Sequence, residues 1–190
     1  MTNRILLLVF TLTTLCMPAH ALQVEGIEIP ETISSGDGKT DLVLNGAGLR
    51  EKFYVDVYVA ALYLQARTAD AAAILGDDGP ASVTMNIINS ELSKKKITDG
   101  WIDGLDDNTT SSERKAIQSR LEAFNKLFTS MKKGDVLRID YTPAKGTEVR
   151  LNGEWRGSVE GNDFFRALLK VWLGPDPVSK SLKQDMLGGN

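Results

Sequence analysis

Imidazole and thiol are almost missing from this chain. Its 190 residues include one histidine, His20, and one cysteine, Cys16. Both fall in a leader: Arg4 is followed by the apolar run ILLLVFTLTTLCM and then Pro18-Ala19-His20-Ala21, the charged, apolar and small-residue order of a secretory signal peptide. The run is too short for a membrane anchor, and the A-x-A ending predicts cleavage after Ala21, leaving residues 22–190 as one mature domain. Thr14-Leu15 ahead of Cys16 argues against a lipid-modified cysteine. The protein is therefore expected in the periplasm or secreted, with no stable membrane anchor.

A mature chain without histidine or cysteine excludes Ser-His-Asp and Cys-His nucleophilic systems, thiol redox chemistry and nearly every zinc site. It also has no disulfide, so an ordinary core must hold it, and its length suffices for one domain. Neither a GxxxxGK[ST] loop nor a GxGxxG turn is present, so no nucleotide cofactor is implied, and no other cofactor or metal is expected. Asp77-Asp78 and Asp106-Asp107 read as turn residues capping backbone groups rather than metal ligands. With 22 basic and 25 acidic residues mixed along the chain, nucleic acid is not a partner. Lys94-Lys95-Lys96, the only basic cluster, reads as a solvated helix surface.

The rest is patterned as alternating strands and amphipathic helices. Leu22–Pro30 alternates as an opening strand. Strands are expected at 42–44 and 52–64 around an Asn45-Gly46 turn, with a bend at Gly48, and again at 81–89. A short alanine-rich helix is expected at 68–75. Residues 90–108 look helical but broken at their glycines. Ser111–Lys133 reads as the clearest helix, capped by Ser111 or Ser112, carrying Ile117, Leu121, Phe124, Leu127, Phe128 and Met131 on one stripe and ended by Gly134. Three short strands with turns at PAKG and Asn152-Gly153 form a meander across 135–161, followed by helices at 163–173 and near the C-terminus. The tryptophans Trp101, Trp155 and Trp172 read as core or half-buried aromatics. This order predicts an α+β domain with helices packed on one face of a mainly antiparallel sheet.

Two segments, LNGAGLREKFYVDVYVAALYL and KKGDVLRIDYTPAKGTEVRLNGEWRGSVEGNDFFRALLKVWLGPDPVSKSLKQDML, resemble the bacterial chalcone isomerase-like family over nearly all of the mature chain. The resemblance implies an open-faced β-sandwich, a large antiparallel sheet covered by a layer of helices. It also implies a site. The arginine that follows the glycine-rich turn in the plant isomerases falls on Arg50, and their strand threonine on Tyr58. Their tyrosine falls on Leu92, their asparagine on Asp99 and their late hydroxyl on or near Phe165. Leu92 and Phe165 cannot donate to a developing enolate, which argues against flavanone formation. Fatty-acid-binding members of the superfamily are similar in pairing an arginine with a tyrosine at the strand position.

The resemblance therefore implies a non-catalytic protein that binds a small amphipathic carboxylate such as a fatty acid, with Arg50, Tyr58 and Asp99 as ligand-binding residues. Alternatives are an isomerase or lyase acting on another enone, with Tyr58 or Asp99 moving protons, and a structural or interaction protein whose pocket is filled by side chains. Arg50 and Tyr58 share strand parity, but eight residues of straight strand would separate them by roughly 26 Å. Both can meet one carboxylate only if the chain reverses between them, and the expected place is Glu51-Lys52.

Overall fold

A computed structural model of the protein describes residues 21–189; the signal peptide read at the N-terminus lies, but for Ala21, outside them. In chain order the elements are β1 (Leu22–Val24), β2 (Ile27–Ile29), β3 (Thr32–Ser34), β4 (Asp41–Lys52), β5 (Val55–Leu64), α1 (Ala71–Gly76), β6 (Ala81–Ile87), β7 (Glu91–Leu92), α2 (Lys94–Asn108), α3 (Ser111–Lys126), β8 (Met131–Lys132), β9 (Val136–Thr142), β10 (Gly146–Leu151), β11 (Glu154–Val159), α4 (Asn162–Leu173) and α5 (Lys180–Met186). Seven strands form one antiparallel sheet in the order β11-β10-β9-β6-β5-β4-β3. The α+β expectation holds, with the helices on one face of that sheet.

Alternation decides which side chains meet the helices. From β5, β6 and β9, Ala60, Leu62, Val83, Met85, Leu137 and Ile139 join the main core, and α4 supplies Phe164, Leu168 and Trp172 from its apolar stripe. The opposite face carries a smaller cluster of Leu42, Ala47, Val59, Ala61 and Tyr63, covered by Ile29. That cover comes from β1 and β2, a hairpin turning at Glu25-Gly26, where a single opening strand was expected. No helix among the described residues is long and apolar enough to cross a membrane.

Three helical expectations need correction. α2 runs unbroken through Gly100 and Gly104, capped by Ser93, whose hydroxyl accepts from Lys96 N. Gly104 serves packing there: a Cβ would come within 2.8 Å of Val171 Cγ1 on α4. Asp106 and Asp107 therefore sit on a helix rather than in a turn, and Asp106 accepts from Arg114 at 2.6 Å. α3 stops at Lys126, and its cap is Thr110, in a reciprocal capping box with Glu113. Of the residues expected to continue it, Met131 and Lys132 become β8, which pairs with β7 through Leu92 and Met131. The meander, by contrast, forms as expected, with Asn152 (φ 53°) and Gly153 (φ 81°) in its second turn.

Candidate functional site

The chain does reverse between Arg50 and Tyr58, two residues later than expected. Phe53 (φ 52°) and Tyr54 (φ 61°) form the turn of the β4–β5 hairpin, closed by the pair Lys52 and Val55. A two-residue turn with both φ positive is the hairpin geometry that matches strand twist, and Asn-Gly is its usual sequence. Here two aromatics take it, each at a cost of roughly 1–3 kcal/mol. The consequence is that Arg50 and Tyr58 are direct cross-strand partners, with Cβ atoms roughly 5 Å apart rather than 26 Å.

Asn45-Gly46 is not a turn. β4 passes through it, and the register shift there makes Asn45 the extra residue of a bulge. Its side chain donates to the carbonyl of Met186 at 2.7 Å and accepts from Thr68 N at 2.8 Å, tying α5 and the start of the α1 loop to the sheet. Gly46 and Gly48 lie on the helix face four and two residues before Arg50, and a Cβ at either would collide with Asp185 of α5. The glycines thus let α5 sit directly on β4. Burial of Asp185 between α5 and β4 pushes its carboxyl above the ordinary range.

A second bulge completes the site. Arg50 pairs with Tyr58 and Glu51 with Asp56, leaving Val57 as the extra residue in β5. Val57 and Tyr58 consequently both line a cavity of about 480 Å³ between the sheet edge and α2, within the roughly 300–1,000 Å³ usual for small-molecule sites. Its wall is apolar, made by Val57, Leu92, Ile97, Trp101, Val171 and Val178. Its rim is charged, with Lys52, Glu91, Lys96, Asp99 and Asp103. Behind Trp101 a packed aromatic cluster holds the wall still: its ring lies 5.5 Å from Trp172, 5.9 Å from Phe124 and 5.8 Å from Phe128.

All three residues singled out in the sequence, Arg50, Tyr58 and Asp99, line this cavity. They differ in what already engages them. Arg50 is half-buried and, among the described residues, has no carboxylate partner; its guanidinium donates to the carbonyl oxygen of Glu51, and its charge and hydrogen bonding also act on the Tyr58 hydroxyl. Tyr58 is buried, and its hydroxyl accepts a hydrogen bond from Trp172 Nε1 at 3.1 Å, which leaves its own proton to donate. Burial pushes that hydroxyl up, opposed by the Trp172 bond and the neighbouring Arg50 charge, so the phenol stays protonated. Asp99 is taken: its carboxylate accepts from Lys95 at 2.6 Å on the solvent side of α2. An acid in the cavity would meet it as a like charge rather than as a ligand.

Two tryptophans that the sequence marked only as core or half-buried aromatics, Trp101 and Trp172, are buried as expected and also belong to the site. Trp172 orients Tyr58, and Trp101 lines the cavity with a buried Nε1 that has no hydrogen-bond partner. The available signal was chemical, because a buried indole N–H needs an acceptor. Arg50, Tyr58 and Trp101 thus line a single cavity, the first two carrying donors on facing strands. The positions matching isomerase donors do not add to them. Leu92 is part of the apolar wall, and Phe165 is in the core, stacked on Tyr141 at 4.9 Å.

No curated protein matches this chain. Among solved structures, the crystal structure of a fatty-acid binding protein from Arabidopsis thaliana superposes with a TM-score of 0.61 at 16% identity, covering 84% of this chain and 97% of that one. This likeness is one of fold. The family model described as chalcone isomerase-like matches residues 21–188, almost the whole of the described chain. With the sheet, its helical cover and that match in hand, the chain belongs to the chalcone isomerase-like family.

Proposed function

We propose that this protein is an exported, non-catalytic binder of a small amphipathic carboxylate, a fatty acid being the ligand class that fits best. The observation that carries the reading is Arg50, a half-buried arginine at a cavity with no carboxylate partner among the described residues. Arginine presents a planar fork suited to a carboxylate, and Tyr58 directly opposite adds a hydroxyl donor. The apolar wall gives an aliphatic tail somewhere to go. The fatty-acid binding protein of similar fold supports the same ligand class. Asp99 is left at the rim, where its pairing with Lys95 keeps it from the head group.

The direct test is titration of delipidated protein with dodecanoate and hexadecanoate, alongside native mass spectrometry for acids that co-purify. Arg50→Ala removes a charge-assisted contact of roughly 1.5–3 kcal/mol and should weaken binding by about 10- to 100-fold. Failure of the wild type to bind either acid, or binding unchanged by Arg50→Ala, overturns the reading. Export rests on the leader alone, and a mature N-terminus at Leu22 in protein recovered outside the cytoplasm is its check.

A further inference from the structure

The β4–β5 hairpin ends in the two most exposed large hydrophobic residues of the described chain, followed by a third that is half exposed. Phe53 is 86% exposed, Tyr54 97% and Val55 51%. The two aromatics occupy the turn positions where Asn-Gly would relieve the backbone, so the turn chemistry that favours the hairpin is given up for rings held in water. Phe53 and Val55 also line the mouth of the cavity that contains Arg50 and Tyr58, together with Lys52 and Lys96. Lys52 lies 5.9 Å over the Phe53 ring.

We propose that this tip docks on a lipid bilayer, with Phe53 and Tyr54 in the boundary between head groups and acyl chains and Lys52 reaching the phosphates. Phenylalanine, tyrosine and a lysine on a flexible stem are the side chains that this boundary accepts, since each has an apolar body and two carry a polar end. The size of the tip separates a bilayer from a protein partner. Two aromatics offering roughly 150–250 Å² each, with Val55, fall short of the roughly 800 Å² per partner of a stable protein interface. A two-residue protrusion has the shape of a wedge rather than of a flat patch.

Charge around the tip gives a second, specific expectation. Arg50, Lys52 and Lys96 beside the tip are matched in number by Glu91, Asp99 and Asp103, so attachment depends on ring insertion and only weakly on anionic lipid or salt. Docking this way would turn the cavity mouth toward the membrane, where an amphipathic acid resides. That exchange role rests on the proposed function; contact of the tip with the bilayer does not.

The experiment is flotation of the mature chain with vesicles of phosphatidylcholine, and of phosphatidylcholine with one fifth phosphatidylglycerol, at low and high salt. The comparison is the double variant Phe53→Asn with Tyr54→Gly, which supplies the favoured turn sequence and so keeps the hairpin. Wild type should float with both vesicles, with less than about threefold difference between them, and the double variant should partition about tenfold less or worse. A Tyr54→Trp variant should shift its emission to the blue when vesicles are added. Dodecanoate affinity without vesicles should be equal in wild type and a Tyr54→Gly single variant, whose side chain does not line the cavity. Flotation with no acid binding would overturn the carrier reading and leave the docking surface standing. A wild type that stays in solution, a double variant that floats equally well, or self-association of the wild type that the double variant abolishes would each overturn the docking proposal.

Discussion

The two faces of the central sheet treat buried charge in opposite ways. On the helix-covered face Arg50 borders a cavity with no carboxylate to answer it among the described residues. On the other face two carboxylates are enclosed by the chain itself: Asp140 is 1% exposed and Glu148 6%. Arg138 approaches Asp140 to 2.7 Å, and Lys145 approaches Glu148 to 3.5 Å. The loop between β3 and β4 closes over the pair so tightly that a Cβ on Gly36 would come within 2.8 Å of Asp140 Cβ and 2.9 Å of Glu148 Oε2. Burial outweighs the arginine there and pushes the Asp140 carboxyl up. Burying a charge is costly without a partner, so the face that supplies partners is structural, and the face that withholds one leaves Arg50 to the ligand proposed above.

Arg138→Ala should separate the faces most sharply. It leaves Asp140 enclosed without its cation and should cost about 3–5 kcal/mol of stability at pH 7, whereas Arg50→Ala should cost less than about 1 kcal/mol. Urea unfolding of both variants measures this, and equal losses would erase the distinction between the faces. A folded-state carboxyl raised above its ordinary 3.8 binds its proton more tightly than the unfolded chain does. Stability therefore falls as pH rises from near 3.8 through the folded value, and the Arg138→Ala deficit should shrink as the pH is lowered from 7 towards 4.

Tyr58→Phe should come next. It strands the Trp172 N–H that now ends on the Tyr58 hydroxyl, costing about 1–3 kcal/mol, and it should weaken acid binding as well; a loss confined to stability would show the hydroxyl to be scaffold alone. Glu113 supplies an exposed standard against which both faces can be read. Bonds from Thr110 and Lys170 hold its carboxyl at about 2, below the ordinary 4.5. Its contribution is therefore complete above pH 4.5 and lost as pH falls through about 2. Glu113→Gln should cost no more than about 1 kcal/mol at pH 7, and the thermal midpoints of variant and wild type should converge near pH 2. Trp101→Phe should cost under about 1.5 kcal/mol of stability while lowering acid affinity several-fold. A large stability loss there would mean that the indole N–H serves the fold rather than the cavity.

Periodicity made most of the frame legible. The meander from Val136 to Val159 and the apolar stripe of α4 are written in alternation and in helical spacing. What misled was glycine and turn chemistry. Asn45-Gly46 carries the strongest hairpin signal in its region, yet its job is to bulge β4 and admit α5, a contact made with residues about 140 positions away. The true hairpin uses Phe53-Tyr54, which no turn preference would select. Gly100 and Gly104 suggested a broken helix because the contact of Gly104 with Val171 is tertiary. For the site, family resemblance named Arg50 and Tyr58, and only the register explained how they meet. Trp101 was invisible as a donor because its significance is the partner it does not have.

The bulged hairpin also makes head-group chemistry and tail chemistry separately adjustable. The spacing of Arg50 from Tyr58 is set by the backbone ladder of two adjacent strands. The apolar wall is drawn instead from Leu92, Ile97, Val171 and Val178, on elements remote in the chain. If the proposed carboxylate binding holds, substitutions at those four positions would recut the cavity for longer, shorter or branched tails while leaving Arg50 and Tyr58 in place, giving this scaffold a route to new ligand selectivity by changing its walls one residue at a time.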